Sequence, residues 1–351
     1  MANTYYSKFD TGSDITGDGS LNNPFKTIQK SIDSGVAGDV FLYLADEIIT
    51  LKITLINTNS LVNVSVVSSA NPTTGLIDGT RFKINGNSIC DYVFETYPDS
   101  RLWALSNIEV INFTEFFITP TGNYVYYYSF TNIKLSNIKG WTNSILGFAS
   151  CYYIDIEITN CNGGSYVFIA RSPIIVKRIR IYNCSSTLFI LYLASPTNTL
   201  SDVIINNCIV GQVAIFAGTN SRLYNIIIDR VTFTNPTFND IIYLGYQSYL
   251  SNILITNCNS NNGVTRNNII YTTAVAVTLI ENVALFNNQN FDNIIDINSY
   301  LIQSEAPHEL SEDPFIDSEN EDYTLKNNYT YRRRPFKIGE FNRVFEILEP
   351  Q

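Results

Sequence analysis

An all-β solenoid is the fold class this sequence predicts, and three observations predict it. Strand-forming Tyr (23) and Phe (21) are abundant, Ile and Asn are over-used, and aromatic residues reach 13% of the 351 positions. A short segment recurs: IDIEITNC ends at Cys161, KRIRIYNC at Cys184, SDVIINNC at Cys208 and SNILITNC at Cys258. Each copy alternates with period two, as in Ile154, Ile156 and Ile158, and helix templates fit nowhere in this region.

Weaker copies, SNIEVINF, FTNIKLSN, YNIIIDRV and ENVALFNN, extend the array. The Asn that closes each copy falls at Asn137, Asn160, Asn183 and Asn207, yields once to Arg230, and returns at Asn257 and Asn287. The steps are 23, 23, 24, 23, 27 and 30 residues. A second strand-like run follows each turn: YVFIA from Tyr166, TLFILYLA from Thr187, VAIFAG from Val213, DIIYLGY from Asp240 and NIIYTTA from Asn268. A period near 23 is too short for a four-stranded propeller blade and lacks the Leu/Asn signature of leucine-rich repeats. One coil of a parallel β-helix fits. Hydrophobic residues make up 45% of the chain, enough for a substantial core and against global disorder.

Coils stacked about 4.8 Å apart turn every repeated position into a ladder. Asn137, Asn160, Asn183, Asn207 and Asn257 suit a corner, because Asn tolerates left-handed backbone and its amide can bond to the Asn of the next coil. Cys161, Cys184, Cys208 and Cys258 read as small buried packing groups rather than reactive or metal-binding thiols. The six Cys include no CxxC pair, so neither a disulfide framework nor a zinc site is expected. Asp155, Arg178 and Asp202, and likewise Glu157 and Arg180, fall at matching positions of successive coils. They are expected to alternate as acid–base rungs on an outward face, each pair contributing about 0–1 kcal/mol.

The ends need caps. Residues 27–34 read as a short amphipathic helix between Pro24 and Gly35, with Phe25, Ile28 and Ile32 on one side and the strand VFLYL following Asp39. The opening GDGS…NPF.TIQ..ID…GD within residues 17–46 resembles that of the right-handed parallel β-helix, pectate-lyase-like superfamily, in which such a helix plugs the first coil. The chain departs from the usual Gly-x-Tyr after the first strand, having Ala45, Asp46 and Glu47. DPFIDSENEDYTL, residues 313–325, resembles the closing segment of bacterial and phage members. The expected organisation is an N-terminal segment with capping helix (1–45), β-helix coils (46–303), and a C-terminal cap and docking tail (304–351). Nine or ten coils would make a rod of about 40–50 Å.

Net charge is −10, which argues against general nucleic-acid binding. The sequence holds no apolar run of transmembrane length, and its opening residues do not read as an export signal, so no membrane association is expected. One His, His308, makes schemes built on several His impossible. Members resembling this chain include polysaccharide lyases, glycosidases and virion proteins, so fold leaves function open. The main expectation is a non-catalytic virion component of a phage-like virus, made in a host cytoplasm. It would need no cofactor or metal and would dock on capsid or tail subunits, or on copies of itself, through Arg332, Arg333 and Arg334. A tail folded back on the acidic stretch 305–322 is the plainer reading of the same residues. The alternative is a glycan-processing or glycan-binding β-helix protein. A lyase would draw on Asp155, Glu157 and Asp202 with Arg178 or Arg180. Tyr within 124–128, Tyr152, Tyr153, Trp103 and Trp141 are the aromatic candidates for stacking on a sugar.

Overall fold

The computed structural model describes residues 2–55, 64–87, 92–96, 102–118, 127–139, 147–148, 151–170, 174–260, 266–272, 278–297, 301–303, 308–310, 315–317 and 322–325. Their strands form a parallel β-solenoid. The first sheet runs from Thr4–Ser7 through Val40–Tyr43, Ser65–Ser69, Leu102–Ile111, Tyr127–Ser136, Cys151–Thr159, Ile175–Tyr182, Thr199–Asn206, Arg222–Asp229 and Tyr249–Thr256 to Thr278–Phe286 and Leu301–Gln303. The second runs from Gly147–Phe148 through Tyr166–Ala170, Phe189–Leu193, Val213–Ala217, Phe238–Leu244 and Arg266–Thr272 to Asn293–Ile297. Between them lies a small sheet of Ser185–Ser186, Ile209–Val210 and Thr232–Phe233. About seven turns are formed, fewer than the nine or ten expected from the repeat count. Before Gly147 a separate three-stranded parallel sheet, Ile53–Leu55, Tyr92–Thr96 and Glu115–Ile118, accompanies the first.

Each coil turns on single residues with positive φ. The long first-sheet strand breaks its pairing once: Ser201 pairs Tyr224 and Val203 pairs Ile226, leaving Asp202 and Asn225 unpaired between them. Those two have φ of 59° and 58°, and Asn107, Asn132, Asp155, Arg178 and Asn252 occupy the same corner. A second corner holds Asn137, Asn160, Asn183, Asn207, Arg230, Asn257 and Asn287, all between 48° and 55°. A third holds Thr197, Asn220 and Gln247. Ordinary L-residues pay roughly 1–2 kcal/mol for this conformation, and Asn is among the residues that visit it routinely. The amides also tie coils together, Asn225 Nδ2 donating to Asp202 at 2.9 Å and Asn252 Nδ2 donating to Asn225 at 3.1 Å.

Between corners the inward rows stack like on like. Ile156, Ile179, Val203, Ile226 and Ile253 follow one another in register and are buried, as are Ile158, Ile181, Ile205, Ile228 and Ile255. Burying each such side chain contributes about 1.5–3 kcal/mol. Where coils approach most closely there is no room for a side chain: a Cβ on Gly211 would collide with the Thr187 carbonyl of the preceding coil.

The helix spans Ile28–Ser34 and buries Ile28, Ser31 and Ile32 against the first coils. Thr27 caps it, its hydroxyl accepting from the Lys30 N–H at 3.2 Å and donating to Asp14 at 2.9 Å. Thr4–Ser7 would otherwise be an open edge. The loop after it bonds to that edge, with the Tyr6 N–H on Gly19 and the Phe25 N–H on Tyr6, so the edge is closed from within the chain.

Glu47 lies in this cap. Its side chain is 3% exposed and accepts from the Ile28 N–H at 3.3 Å, beside the buried Tyr43 hydroxyl. Burial, helped by the nearby Asp14 charge and opposed by the Ile28 bond, raises its pKa from 4.5 to about 8. The folded chain therefore holds a proton there that the unfolded chain releases above about pH 4.5. Stability from this group is complete below that pH and is lost as pH rises through about 8.

Denaturant titrations of wild type and Glu47→Gln from pH 5 to pH 9 should diverge, wild type losing up to about 1.4 kcal/mol per pH unit relative to the variant. Parallel pH dependences would refute the buried proton. At the corner, Asn225→Gly should cost about 1–2 kcal/mol, from the lost amide bonds and added chain entropy. Asn225→Val should cost at least about 1 kcal/mol more, because a β-branched residue resists positive φ. Equal costs by thermal unfolding would show that the corner does not govern stability.

Candidate functional site

The five charged residues of the lyase constellation fall into two rows. Asp155, Arg178 and Asp202 are successive occupants of the first corner, at positive φ, with Asp155 and Arg178 partly open to solvent. Arg178 donates from Nε and Nη2 to the two Asp155 oxygens at 2.6 and 2.8 Å, a bidentate pair half open to solvent. That bond raises the Arg178 pKa. Asp202 takes the Asn225 amide instead, and burial raises its pKa against the lowering effect of Asn225, Ser201, Arg178 and Lys177. Glu157 and Arg180 stand side by side in the next outward row, and Glu157 also meets Lys134 at 3.3 Å. The arrangement spends each carboxylate on a neighbouring coil. Among the described residues no three His, Cys, Asp or Glu side chains are grouped to hold a metal ion. His308 sits in the short strand His308–Glu309, which pairs with Ala284 and Leu285.

The second corner carries the Asn row. Asn207 donates to Asn183 at 2.6 Å and Asn287 to Asn257 at 3.0 Å. Arg230 interrupts the row, and the preceding residue, Asp229, takes over the bonding. Its buried carboxylate accepts from Asn206 (2.9 Å), Arg230 (3.0 Å), Thr256 (2.7 Å) and Asn257 (2.9 Å). Asp229 was not among the sequence candidates, and the sequence signal for it is an acid directly before Arg230, the basic residue of this corner.

Cys161, Cys184, Cys208 and Cys258 are buried and unbridged. Their thiols lie on backbone carbonyls, as Cys161 on Thr159 at 3.2 Å and Cys184 on Tyr182 at 3.1 Å. The neighbouring Cys184 thiol and burial raise the Cys161 pKa, and burial foremost raises those of Cys184 and Cys258. Such thiols present little thiolate to a reagent.

The aromatic candidates divide. Tyr153 points inward, stacked on Phe130 at 5.1 Å with an interplanar angle of 3°, and Trp103 is also buried. Tyr152 is exposed. Residues 124–126 and Trp141 lie outside the described residues, as do Arg332, Arg333 and Arg334. A different aromatic row stands on the outer face of the second sheet. Tyr192, Phe216, Tyr243 and Tyr271 occupy one register position of four successive coils, with Tyr166 and Phe189 alongside. All six are half-buried. Ring centroids are 4.7 Å apart between Tyr192 and Phe216, 4.6 Å between Phe216 and Tyr243, and 5.1 Å between Tyr243 and Tyr271. Beside this rib lie Asp240 and Asn268, the Asn268 amide donating to Asp240 at 3.0 Å. Rings left partly exposed in a continuous row form a surface suited to a ligand that is apolar on one side and hydroxylated on the other.

No protein-family model matches the chain, and no curated protein matches it. Among solved structures it is similar to pectate lyase Pel9A at 11% identity, with a TM-score of 0.39, over 94% of this chain and 90% of that one. It is also similar to XylC in complex with xylose (10%, TM-score 0.42, over 83% and 76%). A third is alginate lyase from Paenibacillus (10%, TM-score 0.36, over 84% and 99%). These are other parallel β-helix proteins, and the fold assigned here stands on the strand registers above.

Alkylation of the native chain with a small thiol reagent should leave Cys161, Cys184, Cys208 and Cys258 unmodified until denaturant is added. Peptide mapping that finds any of the four labelled at the native rate of a free thiol would contradict their burial.

Proposed function

We propose that this chain is a glycan-binding β-helix protein that lays an extended saccharide along the aromatic rib of its second sheet. The half-buried row Tyr166, Phe189, Tyr192, Phe216, Tyr243 and Tyr271 carries the reading. Ring surface accepts the C–H side of a sugar and phenol hydroxyls bond to its hydroxyls. Coils repeat about every 4.8 Å, so the rib offers equivalent rungs to a chain of similar pyranose units. The solenoid supplies rigidity, which lowers the entropy lost on binding. No catalytic step is assigned, because Asp155 and Glu157 are engaged with Arg178 and Lys134. The virion reading depends on a docking tail outside the described residues, whereas the rib lies within them.

Affinity electrophoresis of wild type and Tyr192→Thr/Tyr243→Thr against a set of immobilised polysaccharides tests the proposal. Thr keeps strand propensity, and thermal unfolding of the variant checks the fold. Wild type should be retarded by at least one polysaccharide, and the folded variant should bind it about tenfold more weakly or not at all. Equal retardation of both proteins would remove the rib from binding. Self-association of wild type through the rib, with no saccharide retained, would make the surface a protein contact instead.

A further inference from the structure

Charge is distributed very unevenly around the coil. The first sheet and its corners carry Asp155, Glu157, Lys177, Arg178, Arg180, Asp202, Arg222, Asp229 and Arg230. The opposite half-turn is nearly bare. Residues 185–198 and 209–221, which bring Phe189, Tyr192 and Phe216 to the rib, contain no Asp, Glu, Lys or Arg. Residues 232–248 contain one, Asp240, which is fully buried. The polar groups there are hydroxyls and amides, including Thr187, Gln212, Thr219, Asn220 and Gln247. Along the whole second sheet the strands contribute one cation, Arg266, against Asp240 and Asp296.

Resting on the glycan reading above, we infer that the rib takes an uncharged saccharide and discriminates against polyuronates and sulfated glycans. Recognition of a carboxylate or sulfate on every sugar calls for a matching row of Arg or Lys, and bidentate guanidinium pairs are the strongest of these contacts. The rib provides no such row, and Arg178 is committed to Asp155 at the other corner. A polyanion would also approach a chain of net charge −10 against its long-range field. Amide and hydroxyl groups, by contrast, match the hydroxyls of a neutral sugar without desolvating a charge. Discrimination arises from what the face leaves out as much as from what it contains.

The test is titration of the full chain with neutral oligosaccharides, such as xylan and glucan fragments, and with oligogalacturonate and alginate fragments, each at low and high salt. Neutral ligands should bind with affinity insensitive to salt, at least about tenfold more tightly than the acidic ones, since no ion pair is there to be screened. Tighter binding of an acidic oligomer than of the neutral ones, weakening with salt, would overturn this inference and leave the glycan reading standing. Failure of both ligand classes would overturn the glycan reading itself. Because ligand class and salt dependence are read on wild type, the outcome does not depend on the variant folding.

Discussion

A corner residue held at positive φ is the constraint on which the rest of this protein depends. Each coil can close only if its strands bend sharply at fixed points, and left-handed backbone supplies the bend in one residue. Once the corners are placed, the strands between them pair in parallel with the coils above and below. Equivalent side chains are then forced into rows, and the chemistry of each row is shared by all coils. The Asn amides at two corners add bonds along the axis, so the residue that tolerates the backbone also links the coils. Where an ionic residue replaces Asn, the row finds another partner, as Arg178 does in Asp155 and as Asp229 does on behalf of Arg230.

That stacking separates the surface into two regimes. On the first sheet, charge is consumed between neighbouring coils, with acids and bases one rung apart. Such residues look catalytic when counted in sequence, yet their partners are already present. On the second sheet charge is almost absent, and the outward row is aromatic. Rings packed about 5 Å apart hold successive coils together and still leave surface partly exposed, so the side chains proposed to bind a saccharide also pack the solenoid.

The N-terminal cap follows a different logic. Both open ends of a solenoid expose apolar surface, and here the helix Ile28–Ser34 covers the first coils while the loop at Gly19 and Phe25 seals the edge strand. Sealing the end buries Glu47, which becomes tolerable by keeping its proton. The cap is thus a part of the fold whose stability falls as pH rises toward about 8.

The solenoid was legible in the sequence because its signals are local and repeated: Asn at 23–30-residue steps, period-two alternation before it and a second apolar run after it. The capping helix was legible for the same reason, with Thr27, Ile28 and Ile32 in place between Pro24 and Gly35. The aromatic rib was not. In the second-sheet strands two consecutive residues point inward, as Ile190 and Leu191 or Ile241 and Ile242 do, so the alternation that assigns faces breaks there. Only the three-dimensional register puts Tyr192, Phe216, Tyr243 and Tyr271 on one outer row. The corner role of Asp155, Arg178 and Asp202 was hidden likewise, because sequence spacing reports which residues share a row but not the backbone conformation that row adopts. Residue spacing alone specifies the repeat, the coil and the ladders. Which ladder faces solvent, and which charges are already satisfied, was decided by tertiary structure, since both depend on how one coil sits upon the next.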